Sequence, residues 1–451
     1  MNFTIFIMSI VLLSVYLIPI YLIRKKNKDI FNPIAIISII HILTTIPYLL
    51  MVSFNSNSMS EYVVNHYSFT GHELTIIKYV IIQCIAYICI IIGISNSKKI
   101  KLIKNKSINV VVGYKYTNSI LIKAYILLFS VGILAYISLL NSMGGLSYVL
   151  NNIHQRTSLL TGKTSLLNIA NLTMIAVYCL IYSCKYRYTK FKIVFIWINI
   201  VIVFFMFSAF GGRKSSLYFL LTCIIVWNYA INKINLVNCK LIILIIPLSI
   251  YFITMPLFRT PGMVEFYGKN PDILVEDIIE NTDTIIKQIS YVDHYLLIIN
   301  YFNNNNLWLG KTYLDLLKAP IPSFIMKNKP PVDDGVYIRS IAEGMYVEPN
   351  TPFNELYPSS WPPETLGIAY MNFGIAGVVV YMMILGFIYS KAYSYMLKNK
   401  SLFSIYLYSI MITNFHLSNL RIVQTSISIF TTGFLFSVLF GFKIIRIYQH
   451  R

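Results

Sequence analysis

Glu355-Leu356-Tyr357-Pro358-Ser359-Ser360-Trp361-Pro362-Pro363-Glu364 closes a polar stretch that begins at Arg259 and lies between two long apolar runs. The stretch from Arg259 to Glu364 holds 14 of the 17 Asp and Glu in the 451-residue chain, and nine of the 16 Pro fall between Pro320 and Pro363. Irregular, charged backbone of that length cannot lie in hydrocarbon, where each unmet N–H or C=O costs several kcal/mol. It is therefore expected to form an aqueous cap, with the apolar runs on either side forming the membrane bundle that it covers.

Hydrophobic residues make up 57% of the chain and charged residues 12%, against about a quarter charged in a soluble domain. The expected fold class is all-α, a polytopic membrane helical bundle. A spanning helix needs roughly 20 apolar residues. On that ruler eleven transmembrane helices are expected: Phe3 to Ile23, Ile34 to Phe54, Leu74 to Ile94, Ile120 to Leu140, Leu166 to Ser183, Ile193 to Phe210, Leu217 to Ile231, Leu241 to Phe258, Leu366 to Ser390, Leu402 to Asn419 and Ser426 to Phe442. Helices 1 to 8 then occupy residues 1–258, a loop or lid covers 259–365, and helices 9 to 11 with a tail fill 366–451. Phe3 to Ile23 has neither a basic region before it nor a small-residue cleavage site, so it is expected to stay as a span.

The net charge of +20 does not point to nucleic acid, because the Lys are scattered through short loops rather than massed on one face. Arg24 to Lys28, Lys98 to Lys115, Lys185 to Lys192, Lys233 to Lys240, Lys391 to Lys400 and the tail from Lys443 are all basic. The positive-inside rule assigns them to the cytoplasm. The alternate connections, including Asn55 to His72, Asn141 to Lys163, Gly211 to Ser215, the large loop and Leu420 to Thr425, then face outward, with the N-terminus outside and the C-terminus inside. None of the six Cys lies in the large loop, so no disulfide staple is expected there.

Within the loop, Leu274, Ile278, Ile279, Ile285, Ile286 and Ile289 fall near helical spacing, predicting an amphipathic helix over Asp272 to Ser290. Tyr291 to Asn300 can continue it. From Pro320 onward the prolines favour extended segments and turns.

Arg and Lys are distributed unevenly. The inner side holds 19 Lys and four Arg, the outer side nine Lys and five Arg: Arg156, Arg213, Arg259, Arg339 and Arg421. Topology needs only charge, whereas Arg adds a planar fork matched to phosphate. Arg213, Arg259 and Arg421 sit at outer ends of expected spans, where they could ring a pyrophosphate or each snorkel to lipid phosphates. Gly211-Gly212-Arg213-Lys214-Ser215-Ser216 lacks Walker spacing; it reads either as backbone open to an anion or as a tight turn. Glu364 in the first turn of the ninth span and His416 in the tenth are the candidate proton acceptors, although both also fit structural roles. Asp333-Asp334-Gly335 reads as a turn. Without an HExxH, paired-Cys or three-Asp cluster, neither a metal site nor a cofactor is expected.

Phe207-Ser208-Ala209-Phe210-Gly211-Gly212-Arg213-Lys214-Ser215, together with Leu366-Gly367-Ile368-Ala369-Tyr370-Met371-Asn372-Phe373-Gly374-Ile375-Ala376-Gly377 after a long outer loop, resembles the O-antigen (oligosaccharide repeat-unit) polymerases of bacterial surface-polysaccharide assembly. The likeness of layout extends over essentially the whole chain. It implies a metal-independent membrane glycosyltransferase in the bacterial inner membrane that joins undecaprenyl-pyrophosphate-linked oligosaccharides into O-antigen or capsule at the periplasmic face, together with a chain-length regulator as partner. The growing chain would be the donor, and undecaprenyl pyrophosphate the leaving group. The family relies on outer-face arginines; Arg213 matches a local motif, and Arg259, Arg339 and Arg421 match by topology. Tyr291, Tyr313, Tyr337, Tyr346, Tyr357 and Trp361 offer sugar-stacking faces or an interfacial belt. Two other functions fit parts of the pattern: the ligase that moves finished chains to lipid A core, and a polysaccharide transporter or flippase. The second would call for buried carboxylates in spans and internal symmetry, which the sequence lacks.

Overall fold

The computed structural model describes residues 2–27, 29–55, 59, 72–99, 109–114, 116–210, 213–234, 251, 253–255, 257–258, 260–321 and 325–447. In chain order the main helices are α1 (Phe3–Asn27), α2 (Pro33–Phe54), α3 (His72–Lys99), α4 (Asn118–Ser142), α5 (Thr164–Ala170), α6 (Leu172–Ser183), α7 (Lys190–Ser208) and α8 (Arg213–Ala230). They continue with α9 (Val292–Asn304), α10 (Gly335–Ala342), α11 (Glu364–Asn399), α12 (Leu402–Asn414) and α13 (Asn419–Phe440). Among the described residues, eight helical segments are long and apolar enough to cross a membrane: α1, α2, α3, α4, α5 with α6, α7, α11 and α13. Helix is the form that such runs must take in lipid, because it satisfies each peptide group within the segment.

The remaining expected spans differ for identifiable reasons. The seventh forms α8, an 18-residue helix that opens on Arg213 and Lys214. Most of the eighth, Leu241 to Phe258, lies outside the described residues. The tenth shortens to α12, whose 13 residues reach about 20 Å at 1.5 Å per residue. Leu420 to Thr425, expected as an outer loop, forms the first turns of α13 instead.

The chain divides into two compact units. The first comprises residues 1–105, 283–394 and 414–430. In it α1 packs on α2 and α3, and α9 packs on α3 and α10. Asn32 caps α2 by accepting from the Ala35 N–H, with Pro33 at the first helical position, where a missing N–H costs nothing. Helices α3 and α11 meet through two glycines: a Cβ on Gly93 would lie 2.2 Å from the Met383 carbonyl oxygen, and one on Gly386 would lie 2.2 Å from that of Ile90. Such close backbone contact drives helix pairing where lipid supplies no hydrophobic force.

Helix α11 covers the span expected from Leu366 to Ser390, with one break inside it. Gly374 interrupts it at φ 61°, ψ −147°, a conformation open in practice only to glycine. The carbonyls released there are taken up by a neighbouring turn: the Trp308 N–H donates to Met371 at 3.0 Å and the Leu309 N–H to Asn372 at 2.9 Å. The large loop also departs from the expected extended segments. Helix α10 lies inside the proline-rich part and buries Val336, Tyr337, Ile338 and Ile341, giving the loop a core of its own. The predicted amphipathic helix forms as two pieces, Pro271–Glu280 and Thr282–Ile289.

The second unit comprises residues 106–282, 395–413 and 431–451. Helix α4 packs on α6 across Gly132, whose Cβ would meet Thr173 at 2.5 Å. Threonines cap two of its helices: Thr117 accepts from Ile120 and Thr189 from Lys192. Strands β1 (Asn109–Tyr114) and β2 (Phe442–Ile447) pair antiparallel, Asn109 opposite Ile447 and Tyr114 opposite Phe442. These strands come from two of the basic segments, Lys98 to Lys115 and the tail from Lys443.

Candidate active site

The site in the first unit is built from two chain breaks, one at each end of a helix pair. The first is the turn Trp361-Pro362-Pro363-Glu364. It rests on the start of α10, where the Trp361 N–H donates to the Gly335 carbonyl at 2.8 Å. A Cβ on Gly335 would stand 2.3 Å from Ser360 Oγ and 2.8 Å from the Trp361 backbone, so only glycine allows this approach. The turn delivers Glu364 to the first position of α11 with φ of 48°. A non-glycine residue in the left-handed region carries about 1 to 2 kcal/mol of strain, which persists only where the surroundings enforce it.

Trp361 is the hub of this turn. The His294 ring of α9 stacks on it at 4.6 Å with 15° between planes, and the Arg339 guanidinium of α10 lies 5.0 Å from its centroid and 5.1 Å from that of Tyr357. His294 Nδ1 donates to the Pro362 carbonyl at 3.3 Å, which leaves Nε2 as the acceptor nitrogen of the neutral ring. Burial lowers the His294 pKa to about 4, with Arg339 adding to the effect and the Pro362 carbonyl and Glu364 opposing it. Arg339 also forms an ion pair with Glu343 one turn along α10. Its guanidinium thus has a carboxylate partner and two ring faces, the environment of a clamp.

The second break is Phe415–Ser418, between α12 and α13. His416, expected inside a span, sits here on non-helical backbone. Three hydrogen bonds hold the segment: Tyr389 Oη donates to the Phe415 carbonyl at 2.7 Å, Tyr313 Oη to the Leu417 carbonyl at 2.8 Å, and the Leu417 N–H to Thr365 Oγ1 at 2.9 Å. The start of α13 is fixed by Asp334, whose Oδ2 accepts from the Asn419 backbone N–H at 2.7 Å and whose Oδ1 accepts from Asn419 Nδ2 at 3.1 Å. Asp334, expected as part of a turn, is therefore a buried clasp. Burial pushes its carboxyl well above the usual range, and Asp333 and Asp315 add to the effect.

These two breaks bring Glu364 and His416 together, with Oε1 3.7 Å from Nε2 and side chains 16% and 20% exposed. That is ion-pair distance for a protonated imidazole. The N-terminal end of α11 favours the carboxylate form of Glu364 through the helix dipole. Such a pair can accept a proton from a hydroxyl brought to its open side and share it between carboxylate and ring.

Of the four arginines proposed to hold pyrophosphate, Arg339 and Arg421 belong to this unit. Arg421 lies in the first turn of α13, half-buried, and its Nη1 donates to Gln424 Oε1 at 3.1 Å. Arg213 opens α8 in the second unit. Arg259 and the Gly211-Gly212 pair fall outside the described residues. Two further histidines lie among the described helices: His294 within the apolar stretch Tyr291 to Asn300, and His41 of α2 with the same intramembrane signal as His416. His41 lies within electrostatic range of both Glu364 and His416. No protein-family model matches the chain, and no curated protein or solved structure matches it.

Proposed function

We propose that this chain is a membrane glycosyltransferase that polymerises undecaprenyl-pyrophosphate-linked oligosaccharide repeat units into surface polysaccharide at the periplasmic face of the bacterial inner membrane. The observation that carries the reading is the Glu364 and His416 pair, 3.7 Å apart, at the base of a long polar loop in an otherwise apolar multi-pass chain. Glycosyl transfer to a sugar hydroxyl needs a proton acceptor at the attacking oxygen and positive charge at the departing diphosphate. Glu364 takes the first role, with His416 orienting the carboxylate and sharing the proton. Arg421 supports the second role, because a cation in the first turn of a helix is disfavoured by the macrodipole, whereas the two positive elements together favour a diphosphate. That Arg213 and Arg259 bind phosphate rests on the sequence alone.

The acceptor oxygen bonds to the anomeric carbon of the donor while the carbon to phosphate-oxygen bond breaks, its electron pair leaving with undecaprenyl pyrophosphate. The hydroxyl proton passes to Glu364. Analysis of cell-surface glycolipid tests the reading: cells lacking the protein should carry single repeat units. Complete absence of attached repeats would favour the ligase, and lipid-linked units trapped on the cytoplasmic face would favour a flippase.

A further inference from the structure

Within the large loop, the segment from Leu309 to Lys318 has its polarity inverted. It contains a 3₁₀ turn, Lys311–Tyr313, and a short helix, Leu314–Lys318. Thr312 and Asp315 are buried, whereas Leu309, Leu314 and Leu317 are 67%, 50% and 76% exposed. A segment bathed in water has the opposite pattern, with charge outward and leucine inward. A single exposed leucine is ordinary, but a patch of them set over buried polar groups marks a surface that something covers.

The segment lies against α11, and that contact gives its depth. Residues 365–390 of α11 carry no charged side chain. Roughly 20 residues cross the hydrocarbon, so counting back from Ser390, the residue before Lys391, puts the far edge near Met371. The segment meets α11 at and beyond that edge. The Leu309 N–H donates to the Asn372 carbonyl at 2.9 Å, and the Gly310 N–H to Asn372 Oδ1 at 2.9 Å. A Cβ on Gly310 would lie 3.0 Å from the Phe373 ring. The Tyr313 ring reaches further along, to 6.0 Å from that of Tyr381. From Phe373 the exposed surface of α11 continues through Ile375, Val380 and Ile384, the surface that a membrane-crossing helix turns to lipid. Non-helical backbone is tolerated at such depth only where protein covers its polar groups. Here Asn372 exchanges hydrogen bonds with Thr312, and the Tyr337 hydroxyl donates to Asp315.

We propose that this segment is a lipid-inserted foot of the large loop. Leu309, Leu314 and Leu317 enter the acyl-chain region of the leaflet on which the loop lies, and Lys311, exposed on the same turn, reaches the lipid phosphates. The bilayer is the partner because the leucines extend the lipid-facing side of α11, and because the exposed charge beside them is a cation, complementary to phosphate. The foot also holds the break that carries His416. The Thr312 carbonyl accepts from Asn419 Nδ2 at 2.7 Å, and Tyr313 Oη donates to the Leu417 carbonyl at 2.8 Å. Contact with the bilayer therefore fixes the height of that break. The anchor itself does not depend on the glycosyltransferase reading; on that reading, it holds the Glu364 and His416 pair in register with a substrate whose diphosphate lies at the bilayer surface.

The test uses full-length protein in nanodiscs of phosphatidylcholine and phosphatidylglycerol, with Leu317→Trp as a depth reporter. The emission that the new Trp adds to that of native protein should fall by roughly half or more when the acyl chains carry bromine, and should resist acrylamide in the water. Strong acrylamide quenching without quenching by brominated lipid would overturn the proposal. Protection from both would overturn it too, since protein would then cover the patch. Leu314→Trp supplies the same readout should Leu317→Trp not fold. Native protein gives an independent measurement: lipids carrying a diazirine in the acyl chain should, on irradiation, attach to residues 309–317, and adducts confined to the spanning helices would overturn the proposal. If lipid quenches as expected but native protein forms no polymer, the glycosyltransferase reading fails and the anchor stands.

Discussion

Replacing Asp315 should remove a pH dependence from the stability of the large loop. Asp315 follows Tyr313-Leu314 on a short helix, Leu314–Lys318, and is 1% exposed. The Tyr337 hydroxyl donates to its Oδ2 at 2.9 Å, and its Oδ1 has no partner among the described residues. Burial raises its carboxyl from 3.8 to about 6, against the opposing effects of Tyr337 and Lys318. The folded state thus holds this proton more tightly than the unfolded chain. The associated stability is fully present below pH 3.8 and is lost as pH rises through about 6. A difference of roughly two units corresponds to about 3 kcal/mol. Asp315→Asn keeps an acceptor for Tyr337 but buries an amide donor at the Oδ1 position, a pH-independent cost of about 1 to 3 kcal/mol. The informative quantity is therefore the change with pH. Between pH 4 and 7.5 the native protein should lose about 2 to 2.5 kcal/mol relative to Asp315→Asn, readable as several degrees in thermal unfolding of purified protein in detergent. His294 has the opposite dependence, losing stability as pH falls from 6.5 to about 4, but it is common to both proteins and cancels in the comparison. Parallel curves for native and variant would refute the assignment of a buried acid at Asp315 that holds its proton more tightly when folded.

Glu364→Gly relieves left-handed backbone strain worth about 1 to 2 kcal/mol while adding chain entropy worth about 0.5 to 1 kcal/mol, so unfolding should change by less than about 1 kcal/mol while polymer formation is lost. Marked unfolding of this variant, with Glu364→Gln stable, would contradict the backbone argument. Gly335→Ala places a methyl group 2.3 Å from Ser360 Oγ. It should destabilise the loop by about 1 to 3 kcal/mol and weaken the fluorescence signature of the Trp361 stack. Gly386→Leu drives a side chain into the Ile90 backbone and should lower expression of folded protein, whereas Gly262→Ala, where a Cβ meets nothing but φ is 78°, should cost only about 1 kcal/mol.

The membrane spans were legible because lipid leaves few alternatives: a run such as Asn118–Ser142 must hydrogen-bond internally, and Thr117 marks where it starts. The interruptions were not legible. Phe415-His416-Leu417-Ser418 has the composition of helix, and its break is enforced by Tyr313, Thr365 and Tyr389 from distant parts of the chain. Gly374 looks in sequence like Gly132, yet one breaks a helix and the other lets two helices touch. Asp334 reads locally as a turn because its partner, Asn419, is 85 residues away. Glu364 and His416 were identifiable individually as rare ionisable groups near apolar runs, but their proximity depends on these same breaks.

The most direct measurement is polymerisation in liposomes containing purified protein and undecaprenyl-pyrophosphate-linked repeat units, comparing native protein with Glu364→Gln. Native protein should produce a ladder of lengthening chains with release of undecaprenyl pyrophosphate, and the variant should be slowed by about 100-fold or more while remaining folded. A variant ladder that grows at the native rate would contradict the role given to Glu364 and His416.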